Sequence, residues 1–193
     1  MKQTLLFSGA GVLFIVTTGL AYIPKFINQG FAGIELTFLA NFSAALLLLI
    51  DIVLKKKNKY VRQGLYLAST GILICVMLIS VACIGEANFS GPFIFLHVIN
   101  PLLATALTIT YTYHGAVNFA ATFLGTFAFS VAYIVYAVSY GWYTGDWLYS
   151  IINIEEKGFV FVILLFIGLM AVLVGLEYGL HKLSYRIHRK SER

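Results

Sequence analysis

Residues 159–176 read FVFVILLFIGLMAVLVGL, a run of apolar and small residues with no charged side chain. A membrane-spanning α-helix needs about 20 consecutive, mostly apolar residues. The strands of a membrane β-barrel instead alternate apolar and polar residues over about 10 positions. Because this run does not alternate, it predicts a spanning α-helix and an all-α fold.

The composition of the whole chain agrees with that interpretation. Of the 193 residues 60% are hydrophobic and 11% are charged, and the mean hydropathy is +0.90. Soluble domains have about 45–50% apolar and about 25% charged residues, so a separate soluble domain is not predicted. We expect a multi-pass protein of the cell membrane, with one transmembrane domain over residues 1–184 and a basic cytoplasmic tail at 185–193.

Six runs are long and apolar enough to be spanning helices. They are approximately 4–24, 34–54, 63–84, 93–113, 119–140 and 158–181. The first run exceeds the apolar region of a signal peptide, which is about 7–15 residues long. It is therefore predicted to be a retained helix.

Lysine and arginine are distributed unevenly between the two sides of this predicted bundle. They concentrate at Lys2, in residues 55–62 and after residue 181, whereas the other side has only Lys25 and Lys157. Cytoplasmic loops of membrane proteins carry the excess of positive charge, so both termini are predicted to be cytoplasmic. The net charge of +5 is explained by this topology, and no nucleic-acid partner is expected.

Polar and ionisable residues inside membrane segments are costly, and each is a candidate for function. The candidates are Glu35, Asp51, His97, Asp146 and Glu177, with the uncharged Asn41 and Asn100. Two of them have simpler interpretations as pairs one helical turn apart near the membrane surface. Asp51 is predicted to pair with Lys55, and Glu177 with His181.

His97 lies about one turn inside the fourth predicted helix, and Pro101 follows it by four residues. Proline cannot donate the backbone hydrogen bond that the His97 carbonyl would accept, and its ring crowds that carbonyl. Asn100 lies on the same helix face as His97. The pattern predicts a kinked helix beside a polar cavity.

Thr37 lies about one turn inside the second predicted helix, at a depth similar to that of His97 and on the same face as Asn41. A hydroxyl beside an imidazole is the arrangement used in nucleophilic catalysis. A plainer interpretation remains open, because threonine in a membrane helix often bonds its own backbone.

Three sequence blocks carry a resemblance to a known family. The blocks are Leu36–Asn41, Leu96–Leu102 and Phe129–Ile134, the last continuing through Tyr140–Gly145 to Trp147. Together they resemble the androgen-induced transmembrane hydrolases, which include the androgen-dependent regulator of tissue factor pathway inhibitor, and their bacterial relatives. The chain departs from the family pattern at Tyr149-Ser150, where the family has tyrosine-proline.

The resemblance implies hydrolysis of fatty acid esters of hydroxy fatty acids, with Thr37 as nucleophile and His97 as base. The residues predicted to contact the substrate or its oxyanion are Asn41, Asn100, Ser130, Tyr133 and Trp147. Membrane lipids and an acyl ester are the expected partners, and no metal ion or cofactor is predicted. The alternative is a non-catalytic membrane carrier or a lipid-binding scaffold.

Overall fold

The computed structural model describes residues 2–29, 35–51, 53–54, 58–83, 91–113, 117 and 119–191. Within these ranges the secondary structure is entirely helical. The α-helices are α1 (Lys2–Gln29), α2 (Leu36–Leu49), α3 (Lys59–Cys83), α4 (Asn100–Tyr111), α5 (Phe119–Thr144), α6 (Ile154–Lys157) and α7 (Phe159–Ser191). A π-helical turn at Phe95–Ile99 leads into α4, and a 3₁₀ turn at Ser150–Ile152 precedes α6.

The helical structure of the described residues confirms the predicted all-α class. Four of these helices contain segments long and apolar enough to cross a membrane. The segments are Gln3–Asn28, Lys59–Val81, Thr122–Thr144 and Phe159–Arg189. The helix α2 has 14 residues and is about 21 Å long at about 1.5 Å per residue. It is shorter than the hydrocarbon core of a bilayer, about 30 Å thick. The predicted six crossings therefore remain a prediction.

Several helix boundaries differ from those predicted. The helix α1 continues past Pro24 to Gln29, whereas the sequence predicted its end at 24. The helix α7 continues to Ser191, so the predicted tail at 185–193 is helical as far as 191. Residues 181–191 contain no glycine or proline, and lysine and arginine have high helix propensity. The helix α2 ends earlier than predicted, at a turn on Ile50.

The helix α3 lies at the centre of the bundle. It packs against α2, α4, α5 and α7, while α1 packs mainly against α2. Glycines on α3 allow close approach, since a Cβ at Gly64 would lie 2.9 Å from the Thr122 hydroxyl. The outer helices expose large apolar side chains, for example Val160 at 70% and Leu164 at 62%. This is the expected surface of helices that contact lipid.

The two ends of α2 carry different polar side chains. Thr37 is among the first residues of α2. We call this end of the bundle the Thr37 end, and it also includes Lys25 and Glu35. Asp51 follows the other end of α2. We call that region, with Arg62 and Tyr66 of α3, the Asp51 end.

Candidate functional site

Thr37 and His97 are adjacent in the structure. The Thr37 hydroxyl oxygen lies 3.4 Å from His97 Nε2, and each residue is only 7% exposed. Thr37 is the second residue of α2, and His97 lies in the π-helical turn before α4. The hydroxyl and imidazole that helix periodicity placed at similar depth thus lie side by side. Their catalytic role remains a prediction.

Pro101 has no N–H, so one backbone carbonyl lacks its hydrogen bond. The π-helical turn determines which carbonyl this is. In this turn the Asn100 N–H bonds the Phe95 carbonyl, five residues earlier. In the same register the missing N–H of Pro101 would have served Leu96, not His97 as the sequence predicted. The Leu96 carbonyl instead accepts a hydrogen bond from Asn41 Nδ2 at 3.3 Å. Asn41 thereby fixes the turn that carries His97. Such π-helical turns within helices occur frequently at functional sites.

Asn41 and Asn100 belong to one hydrogen-bonded network, and both are 0% exposed. The Asn41 amide donates to the Thr37 carbonyl at 2.9 Å as well as to Leu96. The Asn100 amide donates to Asn41 Oδ1 at 2.8 Å and to Thr17 Oγ1 at 3.2 Å. Each side chain has two amide hydrogens, and these bonds use both. Both amides therefore hold neighbouring helices together, and the predicted role of the two asparagines as oxyanion donors stays a prediction.

Glu35 precedes α2 and ties its beginning to α1. The carboxylate accepts a hydrogen bond from the Tyr22 hydroxyl at 2.7 Å and forms an ion pair with Lys25. Glu35 and Asp146 are two of the ionisable residues that the sequence indicated as candidates for function. Both Glu35 oxygens are engaged by Tyr22 and Lys25, and Asp146 is exposed beside Thr144.

Tyr149 connects the loop after α5 to the first turn of α2. Its hydroxyl oxygen accepts a hydrogen bond from the Leu36 N–H at 3.1 Å, and it also bonds Tyr133. Burial raises the pKa of the Tyr149 hydroxyl to about 12, and the nearby Glu35 carboxylate contributes to the increase. Tyr149 thus remains a neutral donor and acceptor across the physiological pH range.

A cavity of about 680 Å³ opens beside Thr37, within the size range of about 300–1,000 Å³ that is usual for ligand pockets. Its walls come from α2, α3, α5, α7 and the segment 148–157. Of the predicted site residues, Thr37, Ser130 and Tyr133 line it. Most of the other lining residues are apolar, namely Ile72, Val76, Ile79, Phe129, Ile134, Leu165, Phe166, Leu169, Met170 and Leu173.

Trp147 has a different position from the one predicted. It is not among the residues that line this cavity, and its ring lies against the backbone of Gly141 on α5. A Cβ at position 141 would come within 2.5 Å of that ring. Trp147 therefore has a packing role that requires glycine at 141, and its predicted contact with substrate stays a prediction.

The carboxylates of Asp51 and Glu177, which were predicted to pair one turn along their own helices, have other partners in the structure. Asp51 is 2% exposed and bonds Arg62 Nε at 2.7 Å and the Tyr66 hydroxyl at 2.9 Å, while its predicted partner Lys55 lies outside the described residues. Glu177 accepts a hydrogen bond from Thr126 on α5, not from His181. Helix spacing predicted partners on the same helix, whereas both carboxylates bond to side chains on neighbouring helices.

Three residues at the Thr37 end were not predicted from the sequence, because no local spacing relates them to Thr37. They are Tyr22, Tyr149 and Lys157. Cys75 is buried and lines the cavity, whereas the side chain of Cys83 lies outside the described residues. Over the described ranges, no group of three His, Cys, Asp or Glu side chains is arranged to hold a metal ion.

The described residues form an all-helical fold in which four helices are long and apolar enough to cross a membrane, with a buried threonine–histidine pair beside an apolar cavity. Comparisons of the chain with protein-family models, curated proteins and solved structures gave no match.

Proposed function

We propose that the protein is a membrane-embedded hydrolase of fatty acyl esters, with Thr37 as nucleophile and His97 as general base. The observation that carries the proposal is the 3.4 Å separation of the Thr37 hydroxyl and His97 Nε2. Thr37 also lines a largely apolar cavity large enough for an acyl chain. Fatty acid esters of hydroxy fatty acids, the substrates implied by the sequence resemblance, have the required ester and chains.

The reaction proceeds in two steps through an acyl-enzyme. The Thr37 oxygen attacks the ester carbonyl carbon while His97 Nε2 accepts the hydroxyl proton. The carbon–oxygen bond to the alcohol then breaks, and the alcohol leaves with the proton from His97. Water next attacks the acyl-threonine with His97 again accepting a proton, which releases the fatty acid and restores the Thr37 hydroxyl. His97 Nε2 must be unprotonated at the start of each step.

The developing oxyanion requires hydrogen-bond donors, and the asparagine amides are already engaged. The N–H groups in the first turn of a helix have no acceptor within that helix, and the helix dipole is positive there. Thr37 and Phe38 lie in the first turn of α2. Their backbone N–H groups are our proposed oxyanion donors, because they lie next to the nucleophile.

We further propose six membrane crossings with both termini in the cytoplasm. In this arrangement the basic residues after 181 lie at the cytoplasmic surface, together with the Asp51 end of the bundle. The Thr37 end then lies in the outer leaflet, where an acyl ester enters the cavity from the bilayer. The charge asymmetry of the sequence supports this orientation.

A non-catalytic lipid carrier or lipid-binding scaffold is the second candidate. The cavity supports it independently of the Thr37–His97 pair, because an apolar chamber of about 680 Å³ would hold an acyl chain whether or not chemistry follows. The two functions differ in whether turnover depends on Thr37 and His97.

The test measures hydrolysis of an acyl ester of a hydroxy fatty acid by the purified protein in detergent. We expect His97→Ala to lower kcat by about 10²–10⁴-fold, the usual contribution of a general base. Thr37→Ala is expected to abolish both turnover and labelling by a fluorophosphonate, whereas Thr37→Ser retains a hydroxyl and part of the activity. Mass spectrometry should locate the label on Thr37.

Matched controls are available in the same chain. Thr105 bonds the Pro101 carbonyl of its own helix, and His188 bonds the Ser184 carbonyl on α7. Thr105→Ala and His188→Ala are expected to leave turnover unchanged. Full turnover in Thr37→Ala or His97→Ala would refute the hydrolase proposal and favour the carrier.

A further inference from the structure

The charge on the wall of the cavity beside Thr37 is positive, as far as the described residues show. Among the described residues that line it, Lys157 is charged and the others are uncharged. A lysine side chain can lie along an apolar surface and keep its ammonium group in water, and an ammonium group forms charge-assisted hydrogen bonds with an anionic head group. Thr37 lines the same chamber, so a molecule held at Lys157 shares the cavity with the proposed nucleophile.

The backbone of Lys157 is fixed by the short helix α6. The Asn153 side chain accepts hydrogen bonds from the N–H groups of Glu155 and Glu156, and the Lys157 N–H bonds the Asn153 carbonyl at 2.8 Å. Gly158 ends the helix with φ +81°, a conformation that favours glycine. The position of the lysine at the cavity rim therefore follows from local structure.

The Lys157 ammonium is available for exchange with a ligand. Its ion-pair partner is the neighbouring Glu156, and the two side chains are 39% and 55% exposed. Solvent-exposed pairs of this kind contribute little, and residues i and i+1 of a helix do not face each other.

We infer that Lys157 binds the carboxylate of an acyl substrate whose chain occupies the cavity beside Thr37. The inference rests on the proposed hydrolase function. It adds that the enzyme selects substrates with a free carboxylate remote from the ester bond. An opposite charge held at the edge of a low-dielectric chamber attracts more strongly than one in bulk water. Neutral esters lack this contact.

The experiment measures binding by calorimetry in detergent, using Thr37→Ala protein so that no ligand is hydrolysed. The probes are palmitate, methyl palmitate and hexadecyl phosphate, at a pH where the acid is ionised. We expect palmitate to bind more tightly than its methyl ester. Adding Lys157→Gln should raise the Kd for palmitate about tenfold, as expected for the loss of one charge-assisted contact, and leave the ester unaffected.

Two further variants separate a charge effect from a structural one. Lys157→Arg keeps the positive charge and should keep the preference for palmitate. Lys182→Gln removes a charge at the Asp51 end and should change neither Kd. Equal binding of palmitate and its methyl ester, or an unchanged preference in Lys157→Gln, would overturn the inference. Tighter, Lys157-dependent binding of hexadecyl phosphate would also overturn it and assign the site to phosphate.

The same variants in the Thr37-containing protein distinguish this inference from the hydrolase proposal. Turnover with no dependence on Lys157 for free-carboxylate esters would reject the inference and leave the hydrolase. Lys157-dependent palmitate binding without any ester turnover would reject the hydrolase and leave the carboxylate site.

Discussion

The two ends of α2 both bury polar side chains, but they do so differently. At the Asp51 end, an arginine and a tyrosine both donate hydrogen bonds to the aspartate, and the ion-paired side chains are 0% and 3% exposed. At the Thr37 end, the Thr37 hydroxyl lies beside the His97 imidazole, and Thr37 lines a cavity. The first arrangement is closed, whereas the second leaves space for a ligand.

The difference follows from the cost of burying charge. A buried ion is tolerated only when a partner and further hydrogen bonds compensate it, so Asp51 and Arg62 must remain engaged with each other. A hydroxyl such as that of Thr37 carries a smaller desolvation cost and tolerates a neighbouring cavity. We therefore expect substitutions at the Asp51 end to change stability and those at the Thr37 end to change activity.

The largest effect is expected from breaking the ion pair at the Asp51 end. Arg62→Ala leaves Asp51 buried without its cation, and loss of one partner of a buried pair costs about 3–5 kcal/mol. The Arg62 side chain also packs over the rings of Phe7 and Tyr66, which adds to the loss. The free energy of unfolding in SDS, followed by circular dichroism, measures this change.

The control for that variant is Arg186→Ala, on the exposed face of α7, with an expected change within about 0.5 kcal/mol. Replacing both partners, as in Asp51→Leu with Arg62→Met, should recover most of the stability, because it leaves no uncompensated charge. A double variant as unstable as Arg62→Ala would contradict this explanation.

An intermediate effect is expected at the Thr37 end from Asn41→Ala. The substitution leaves the buried Leu96 carbonyl and the Asn100 amide without the partners that Asn41 provides. Leaving a buried polar group unsatisfied costs about 1–3 kcal/mol. Because Asn41 fixes the turn that carries His97, turnover should fall together with the free energy of unfolding.

This joint loss distinguishes positioning from direct catalysis. An oxyanion donor at position 41 would, when removed, lower kcat without a matching loss of stability. Ser43→Ala, on an exposed position of the same helix, is the control and should change neither quantity. An Asn41→Ala protein as stable as this control would show that the network contributes nothing.

The sequence predicted the parts of this structure that depend on helix periodicity. The 3.6-residue repeat and the lengths of the apolar runs were sufficient to place Thr37 and His97 at similar depth on facing helices. They did not reveal the π-helical turn, because a shift by one residue in backbone register has no composition signal of its own. The free carbonyl was therefore assigned to His97 when the structure shows Leu96.

Contacts between elements distant in sequence were not predictable in the same way. Spacing suggests partners one turn apart on one helix, which is why Asp51 was assigned to Lys55 and Glu177 to His181. Their observed partners, Arg62 and Thr126, depend on how helices pack together. The position of Lys157 at the cavity likewise depends on the fold of the loop after α5.

The smallest expected effect concerns Tyr149, which links that loop to α2 through the Leu36 N–H. Tyr149→Phe removes this acceptor and should cost about 1 kcal/mol at neutral pH, the usual net value of one hydrogen bond. Tyr143→Phe, at a position 93% exposed, is the matched control.

The pKa of Tyr149 is raised from 10.0 to about 12 in the folded protein, so the unfolded chain loses this proton first as pH rises. The contribution of Tyr149 is therefore complete below pH 10 and is lost progressively between about pH 10 and pH 12. Measured across that range, the free energy of unfolding should fall more steeply in the wild type than in Tyr149→Phe. Parallel curves for the two proteins would mean that the Tyr149 hydroxyl is not held protonated by its surroundings, and that the loop is tied to α2 by other contacts.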